Sequence, residues 1–237
     1  MLASRLVFEA VETNYQPDSI IDIGSGDGIW MKTFASRSEI KRLCAVDLPG
    51  STFKELQSID RQIEYKTIDF EIEMLENREP FDLAICVEVI EHISTQRALA
   101  LLDWISVNCY AIIFSGATPG QGGTQHINEQ KQEYWLSKMI SLGFIPCDNI
   151  RPILSKQKEV PAYYRNNVFF YINSKFLQQP KLLYALQETL KQESFAYIDC
   201  RSKNLKFAQK LLSMIPVYLV SRLAELKSKI DSKRGFR

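Results

Sequence analysis

The run Ile20-Ile21-Asp22-Ile23-Gly24-Ser25-Gly26-Asp27-Gly28 leads an apolar segment straight into a Gly-x-Gly-x-Gly turn. Glycines let backbone bend tightly and approach a ligand without a Cβ in the way, so such a turn can wrap a small molecule with its peptide groups. A dinucleotide fingerprint would place its third glycine at position 29, where this chain has Ile29. A phosphate loop would need Gly-Lys-Ser/Thr, which is absent. Nineteen residues beyond Gly28, at the end of the next apolar run, stands Asp47. An acid at that place in an open α/β sheet accepts hydrogen bonds from the two hydroxyls of a ribose; its plainer role is a turn residue before Pro49-Gly50. Asp69 follows a third run and could receive an adenine amino group, with Phe70 flanking the ring, or could be an ordinary turn aspartate. The chain has two histidines, His92 and His126.

These groups need strands and helices to hold them. Apolar runs at Ser19–Ile23, Arg42–Asp47, Ile63–Ile68, Phe81–Val87, Tyr110–Ser115, Phe144–Ile150 and Val168–Ile172 read as strands. The first five are short and nearly uniformly apolar, the pattern of parallel strands covered on both faces. Helices are predicted at Gly28–Arg37, Thr52–Ser58, Arg97–Ser106 and Glu129–Leu142. Strict alternation predicts a doubly wound α/β sheet. After Phe144 two strands follow with no full-length helix between them, which predicts an antiparallel finish.

The composition is that of a globular protein of 237 residues, 46% hydrophobic and 24% charged. The net charge of +1 gives no global attraction to nucleic acid. Residues 201–237 nevertheless carry ten Lys or Arg against two acids, a basic tail on a mildly acidic body. The five cysteines form no Cys-x-x-Cys pair and read as buried thiols. No signal peptide and no run of membrane-spanning length is read, so a cytoplasmic setting is expected.

The fourth strand continues as Phe81-Asp82-Leu83-Ala84-Ile85-Cys86-Val87-Glu88-Val89-Ile90-Glu91-His92-Ile93. Together with Ile-Asp-Ile-Gly-Ser-Gly-Asp-Gly, Asp47 and Asp69, it resembles the class I S-adenosylmethionine-dependent methyltransferases over residues 15–172. The resemblance implies a Rossmann-like sheet of seven mostly parallel strands, the last antiparallel, in a domain spanning 1–175, followed by a helical extension at 176–237. It implies S-adenosylmethionine as cofactor, held by Asp22, Gly24, Ser25, Gly26, Gly28, Asp47, Leu48, Asp69, Phe70, Val87 and Glu88. A hydroxyl acceptor must lose its proton to react, so a general base helps. His126, Glu88 and His92 are the candidate catalytic groups, with loop-ordering or capping hydrogen bonds as the alternative roles of the two histidines. Glu88, His92 and His126 could converge on a metal, but they lack metal-ligand spacing and no metal is expected.

The segments Gly122–Trp135 and Tyr163–Val168 resemble a bacterial methyltransferase branch associated with glycan and secondary-metabolite tailoring. That likeness points to a small-molecule or glycan acceptor, with Trp135, Tyr163 and Tyr164 as stacking faces or core residues. In the tail, Leu205, Ala208, Leu212, Ile215, Leu219, Leu223, Leu226 and Ile230 fall at three- and four-residue steps around Pro216. This is either an amphipathic helix at the inner membrane face or one packed on its own body or on a second copy in a homodimer. Two other readings stay open: a protein or RNA methyltransferase docking through the tail, although no Asn-Pro-Pro-Tyr-like motif is present, and a non-catalytic cofactor-binding module.

Overall fold

The computed structural model describes residues 1–77 and 79–191. Along the chain it has α1 (Leu2–Glu12), β1 (Ser19–Ile23), α2 (Ile29–Ala35), β2 (Arg42–Asp47), β3 (Glu64–Thr67), β4 (Phe81–Cys86) and α3 (Thr95–Asn108). These are followed by β5 (Cys109–Phe114), α4 (Gln132–Ser141), β6 (Phe144–Cys147), α5 (Arg151–Leu154), α6 (Ala162–Asn167), β7 (Phe169–Asn173) and α7 (Pro180–Lys191). The strands form one seven-stranded sheet in the order β3-β2-β1-β4-β5-β7-β6. The five strands β1 to β5 pair in parallel, and β7 runs antiparallel to both β5 and β6. The predicted antiparallel finish is therefore present, with β7 inserted between β5 and β6.

Uniform burial explains why the central strands were legible. Ile20, Ile21 and Ile23 of β1 are fully buried, as is every residue from Leu83 to Cys86 of β4. One core layer packs Phe8 of α1, Phe34 of α2 and Leu182 of α7 on the sheet; the opposite layer packs Leu101 and Ile105 of α3 with Trp135 of α4. Each such large side chain removed from water contributes about 1.5–3 kcal/mol. The outer strand β3 departs from the uniformly apolar expectation. Its residues alternate between half-buried and exposed, and Glu64 and Lys66 pair at 3.4 Å. Charged side chains on an edge strand discourage pairing with another chain.

The elements differ from the predicted ones in two places. The helix expected at Thr52–Ser58 is only a single tight turn at Lys54–Leu56, because seven residues with few apolar anchors cannot offset helix nucleation. The helix α1 was not predicted, although Ala3, Val7, Ala10 and Val11 form a buried face at helical spacing. Between β6 and β7 lie two short helices of four and six residues.

The segment expected as an extension begins on the body. Leu182 and Ala185 of α7 are fully buried, and Lys181 Nζ lies 2.7 Å from Asp82 and 3.2 Å from Asp18. The predicted basic helix around Pro216, and Cys200, lie outside the described residues. Cys44, Cys86, Cys109 and Cys147 are buried, and burial pushes the Cys147 thiol up to about 12. Among the described residues no helix is long and apolar enough to cross a membrane.

Candidate functional site

The carboxyl ends of β1, β2, β4 and β5 open at one edge of the sheet, where β1 separates β2 from β4 and the chain direction of growth switches. The glycine turn hangs on β2: the N–H groups of Gly24 and Ser25 both donate to the Val46 carbonyl, at 2.8 and 3.0 Å. Asp47 lies one residue on. One of its carboxylate oxygens accepts from the Gly26 N–H, and the other from the Leu48 N–H at 2.6 Å and the Ser51 hydroxyl at 2.8 Å. The turn and the acid expected to share a ligand are thus joined directly. Behind them Asp22, 2% exposed, accepts from the Met31 N–H at 3.1 Å and so steadies the first turn of α2. Burial is the main cause that raises its carboxyl to about 7, with the Asp47 charge adding to it against the Met31 hydrogen bond.

Gly26 and Gly28 both have left-handed backbone, with φ of 54° and 88°, but their surroundings differ. A Cβ on Gly28 would collide with Leu56, whereas one on Gly26 would meet nothing within 4 Å. Gly28 is therefore needed for packing, while Gly26 leaves open space at the turn. Gly28→Val should lower stability by about 1–3 kcal/mol through overpacking, beyond the left-handed backbone cost of about 1–2 kcal/mol that both variants bear. Urea unfolding should rank Gly28→Val below Gly26→Val, and ligand binding should be lost in Gly26→Val while it remains folded. The reverse order of stability would contradict this division.

The end of β4 carries the second half of the site. Glu88 is a non-glycine residue with left-handed backbone, φ 56°, a conformation that costs about 1–3 kcal/mol and collects at functional positions. Its carboxylate accepts from the Ser115 hydroxyl at 2.7 Å and the Gln121 amide at 2.6 Å. Gln121 in turn accepts from Asn167 at 2.7 Å, and Asn167 accepts from Gln132 at 2.7 Å. Burial raises the Glu88 carboxyl above the usual range, against the lowering effect of the Ser115 and Gln121 hydrogen bonds and of nearby His126.

The long polar loop after β5 folds back over this end. Glu129, 7% exposed, accepts from the N–H groups of Gly120 and Gly122 and from Nδ1 of His126, all at 2.9 Å. The Ile127 and Asn128 N–H groups donate to the Glu91 carbonyl at 2.8 and 3.1 Å. His126 is 6% exposed, and its ring meets that of His92 edge-on with centroids 5.0 Å apart. His92 lies at the exposed lip, where desolvation and the neighbouring His126 lower its pKa and the Gln125 backbone raises it. Glu91, fully buried, has no hydrogen-bond partner on either carboxylate oxygen. Burial first, and the Glu88 charge second, raise its carboxyl well above the ordinary range.

Other predicted residues take plainer positions. Asp69 accepts from the Glu71 N–H at 2.9 Å and so forms a local turn, while Phe70 is 4% exposed within the core. Val87 is 9% exposed beside Glu88, and Leu48 is 53% exposed beyond Asp47. Trp135 is a core residue, its ring packed against Phe114. Tyr163 is 39% exposed and its ring meets that of Tyr164 at a tilt of 57°, and the Glu88 charge contributes to raising both phenols after desolvation. Sequence reasoning missed Glu91, Ser115, Gln121 and Glu129. Of these only Glu91, adjacent to His92, had a sequence signal.

Residues 2–108 match the family model described as a methyltransferase domain. The chain is 30% identical over 152 residues, 59% of its length, to the ubiquinone biosynthesis O-methyltransferase of Rickettsia typhi. It covers 56% of that protein, so it spans about half the length of this curated relative. Among solved structures it resembles an S-adenosylmethionine-dependent methyltransferase from Clostridium acetobutylicum, with TM-score 0.55, 14% identity and coverage of 73% of this chain and 90% of that one. It also resembles the N-methyltransferase NodS from Bradyrhizobium japonicum, solved with S-adenosyl-L-homocysteine, with TM-score 0.52, 14% identity and coverage of 73% and 85%. At such identity the two structures share the fold.

Proposed function

We propose that the chain is a class I S-adenosylmethionine-dependent methyltransferase, in keeping with the methyltransferase-domain match over residues 2–108, and that it methylates an oxygen of a small hydroxylated acceptor, with a sugar or glycan hydroxyl as the first class to try. The observation that carries this reading is the direct link between the Asp47 carboxylate and the Gly26 N–H beneath an open glycine face. That pairing fits a nucleoside whose ribose replaces the internal hydrogen bonds of Asp47. When bound, S-adenosylmethionine supplies a methyl group made electrophilic by its positively charged sulfur.

In this reading the Gly24–Gly28 turn receives the methionine part, and Asp22 orders that turn through α2. Asp47 takes the ribose, Asp69 and Phe70 border the adenine, and Val87 and Glu88 lie nearest the reacting end. The chain's task there is placement, since two aligned reactants can gain about 7–11 kcal/mol from orientation and avoided solvent reorganisation. Glu88, His92 and His126 form the polar wall against which an acceptor hydroxyl is held and deprotonated. Tyr163, partly exposed and within the influence of the Glu88 charge, offers an aromatic face for a sugar ring. The name of the Rickettsia relative supports oxygen as the atom methylated.

Calorimetry of the full chain with S-adenosylmethionine should show one site, with no binding of a nicotinamide dinucleotide. A screen for released S-adenosylhomocysteine across hydroxylated compounds, sugars first, should then identify the acceptor. Failure to bind S-adenosylmethionine, or preference for the dinucleotide, overturns the proposal.

A further inference from the structure

One carboxylate oxygen of Glu91 and one ring nitrogen each of His92 and His126 lie within 4.8 Å of one another. These are the only two histidines of the chain, brought together from positions 34 residues apart. Their convergence is built into the backbone. The N–H groups of Ile127 and Asn128 are tied to the Glu91 carbonyl, and the Asn128 side-chain amide donates to the Ile90 carbonyl at 3.0 Å. The loop bearing His126 is thereby pinned to the turn bearing Glu91 and His92.

The second observation is independent of the cluster's shape. Glu91 is fully buried, yet neither of its carboxylate oxygens has a hydrogen-bond partner. The backbone N–H groups of Glu91 itself and of Ala117 ease its charge and the Glu88 carboxyl opposes it, but none of them reaches either oxygen with the geometry of a full hydrogen bond. A buried polar group left in that condition costs free energy, and an ionised one costs far more unless it is paired or coordinates a metal. A third feature concerns His126, whose Nδ1 faces the Glu129 carboxylate at 2.9 Å. A carboxylate taking one ring N–H leaves the lone pair on the other nitrogen and fixes the ring, as is usual for metal-ligating histidines.

We propose that Glu91, His92 and His126 bind a divalent transition-metal ion of the zinc or manganese class at the acceptor end of the crevice. Two imidazoles and one carboxylate suit such ions, whereas calcium and magnesium prefer all-oxygen sites. Glu88 is spoken for by Ser115 and Gln121, so three protein ligands leave a coordination position open. The sequence expectation of no metal, framed on Glu88 rather than Glu91, is replaced by this donor set. The ion's use in catalysis rests on the methyltransferase reading: beside a divalent cation an acceptor hydroxyl loses its proton more readily. Its binding does not rest on that reading.

The test uses tag-free full-length protein, stripped with a chelator and labelled with ¹⁵N at histidine. One equivalent of zinc should shift the signals of both imidazoles together and saturate, and manganese should compete for the same site. Glu91→Gln and, at the exposed lip, His92→Ala should each weaken zinc affinity at least ~10-fold. Metal-free Glu91→Gln should melt no lower than the wild type, because it removes an unpartnered buried acid, but zinc should no longer raise its melting temperature. Imidazole signals that stay still or shift singly overturn the proposal, as do variants that bind zinc as tightly as the parent. Calorimetry with S-adenosylmethionine on the same samples separates the two claims: zinc binding without cofactor binding defeats the methyltransferase reading alone, and the converse defeats the metal site alone.

Discussion

Asp47→Ala is expected to weaken S-adenosylmethionine binding by about 100- to 1,000-fold. Two ribose hydroxyls donating to one carboxylate make two charged hydrogen bonds, each contributing about 1.5–3 kcal/mol, and tenfold in affinity corresponds to about 1.4 kcal/mol. In the ligand-free chain the same carboxylate holds the Gly26 and Leu48 N–H groups and the Ser51 hydroxyl. Loss of loop order could therefore mimic loss of ligand contact, and Asp47→Asn separates the two. The amide keeps the size and one acceptor oxygen but presents a donor where the second hydroxyl needs an acceptor. Calorimetry should place Asp47→Asn between the wild type and Asp47→Ala, with melting temperatures of all three close together because Asp47 lies at the half-buried rim. Unchanged affinity in Asp47→Ala would remove the site from the end of β2.

The parts of this site that were legible in the sequence share one property: local chain geometry alone determines them. Strands β1 and β2 have the predicted bounds because burial on both faces leaves an unbroken apolar run. The glycine turn was legible because left-handed backbone at Gly26 and Gly28 demands that residue type. Asp47 was legible through its distance from the turn, one helix and one strand later. The remainder depends on contacts between distant segments. Glu91 looked like a partner of His92, and only the fold shows that its carboxylate is sealed from water beside His126. Glu129 read as the start of a helix, yet α4 begins three residues later because Glu129 is occupied by two glycine N–H groups and His126. At Asp69 a turn aspartate and a ligand-binding one have the same sequence signature, and the fold adds to it a hydrogen bond from the Glu71 N–H.

Glu88 connects the two halves of the crevice. It follows β4 with left-handed backbone, which turns its side chain toward Ser115 at the end of β5. The chain of amides from Gln121 through Asn167 to Gln132 ties that carboxylate to α6 and α4. The loop after β5 and the helices before β7 are thus held by the same acid that is proposed to face the reacting end. A strained residue supported from three directions is a means of placing a charge rather than of stabilising the fold.

His126→Ala is expected to reduce turnover by about 100-fold or more while leaving S-adenosylmethionine affinity within about twofold, the range in which a lost general base is felt. His126 stands on the loop after β5, a different segment from the Gly24–Gly28 turn and Asp47 that are proposed to hold the cofactor. Two roles for its ring give the same first result: taking the acceptor proton, or donating its lone pair to a cation shared with Glu91 and His92. Both need the Nδ1 proton held toward Glu129, so Glu129→Gln should also lower turnover, by less, through a weakened hold on ring and loop. The roles part in their response to metal. If the ring is a ligand, the chelated wild type should lose activity and recover it with one equivalent of zinc or manganese, and His126→Ala should recover only at far higher metal concentration. If the ring is the base, chelation should leave the wild type active and the rate of His126→Ala should rise with pH as hydroxide replaces the lost group. Full turnover in His126→Ala would reduce the residue to a fastener of its loop, with Glu129 as its sole purpose.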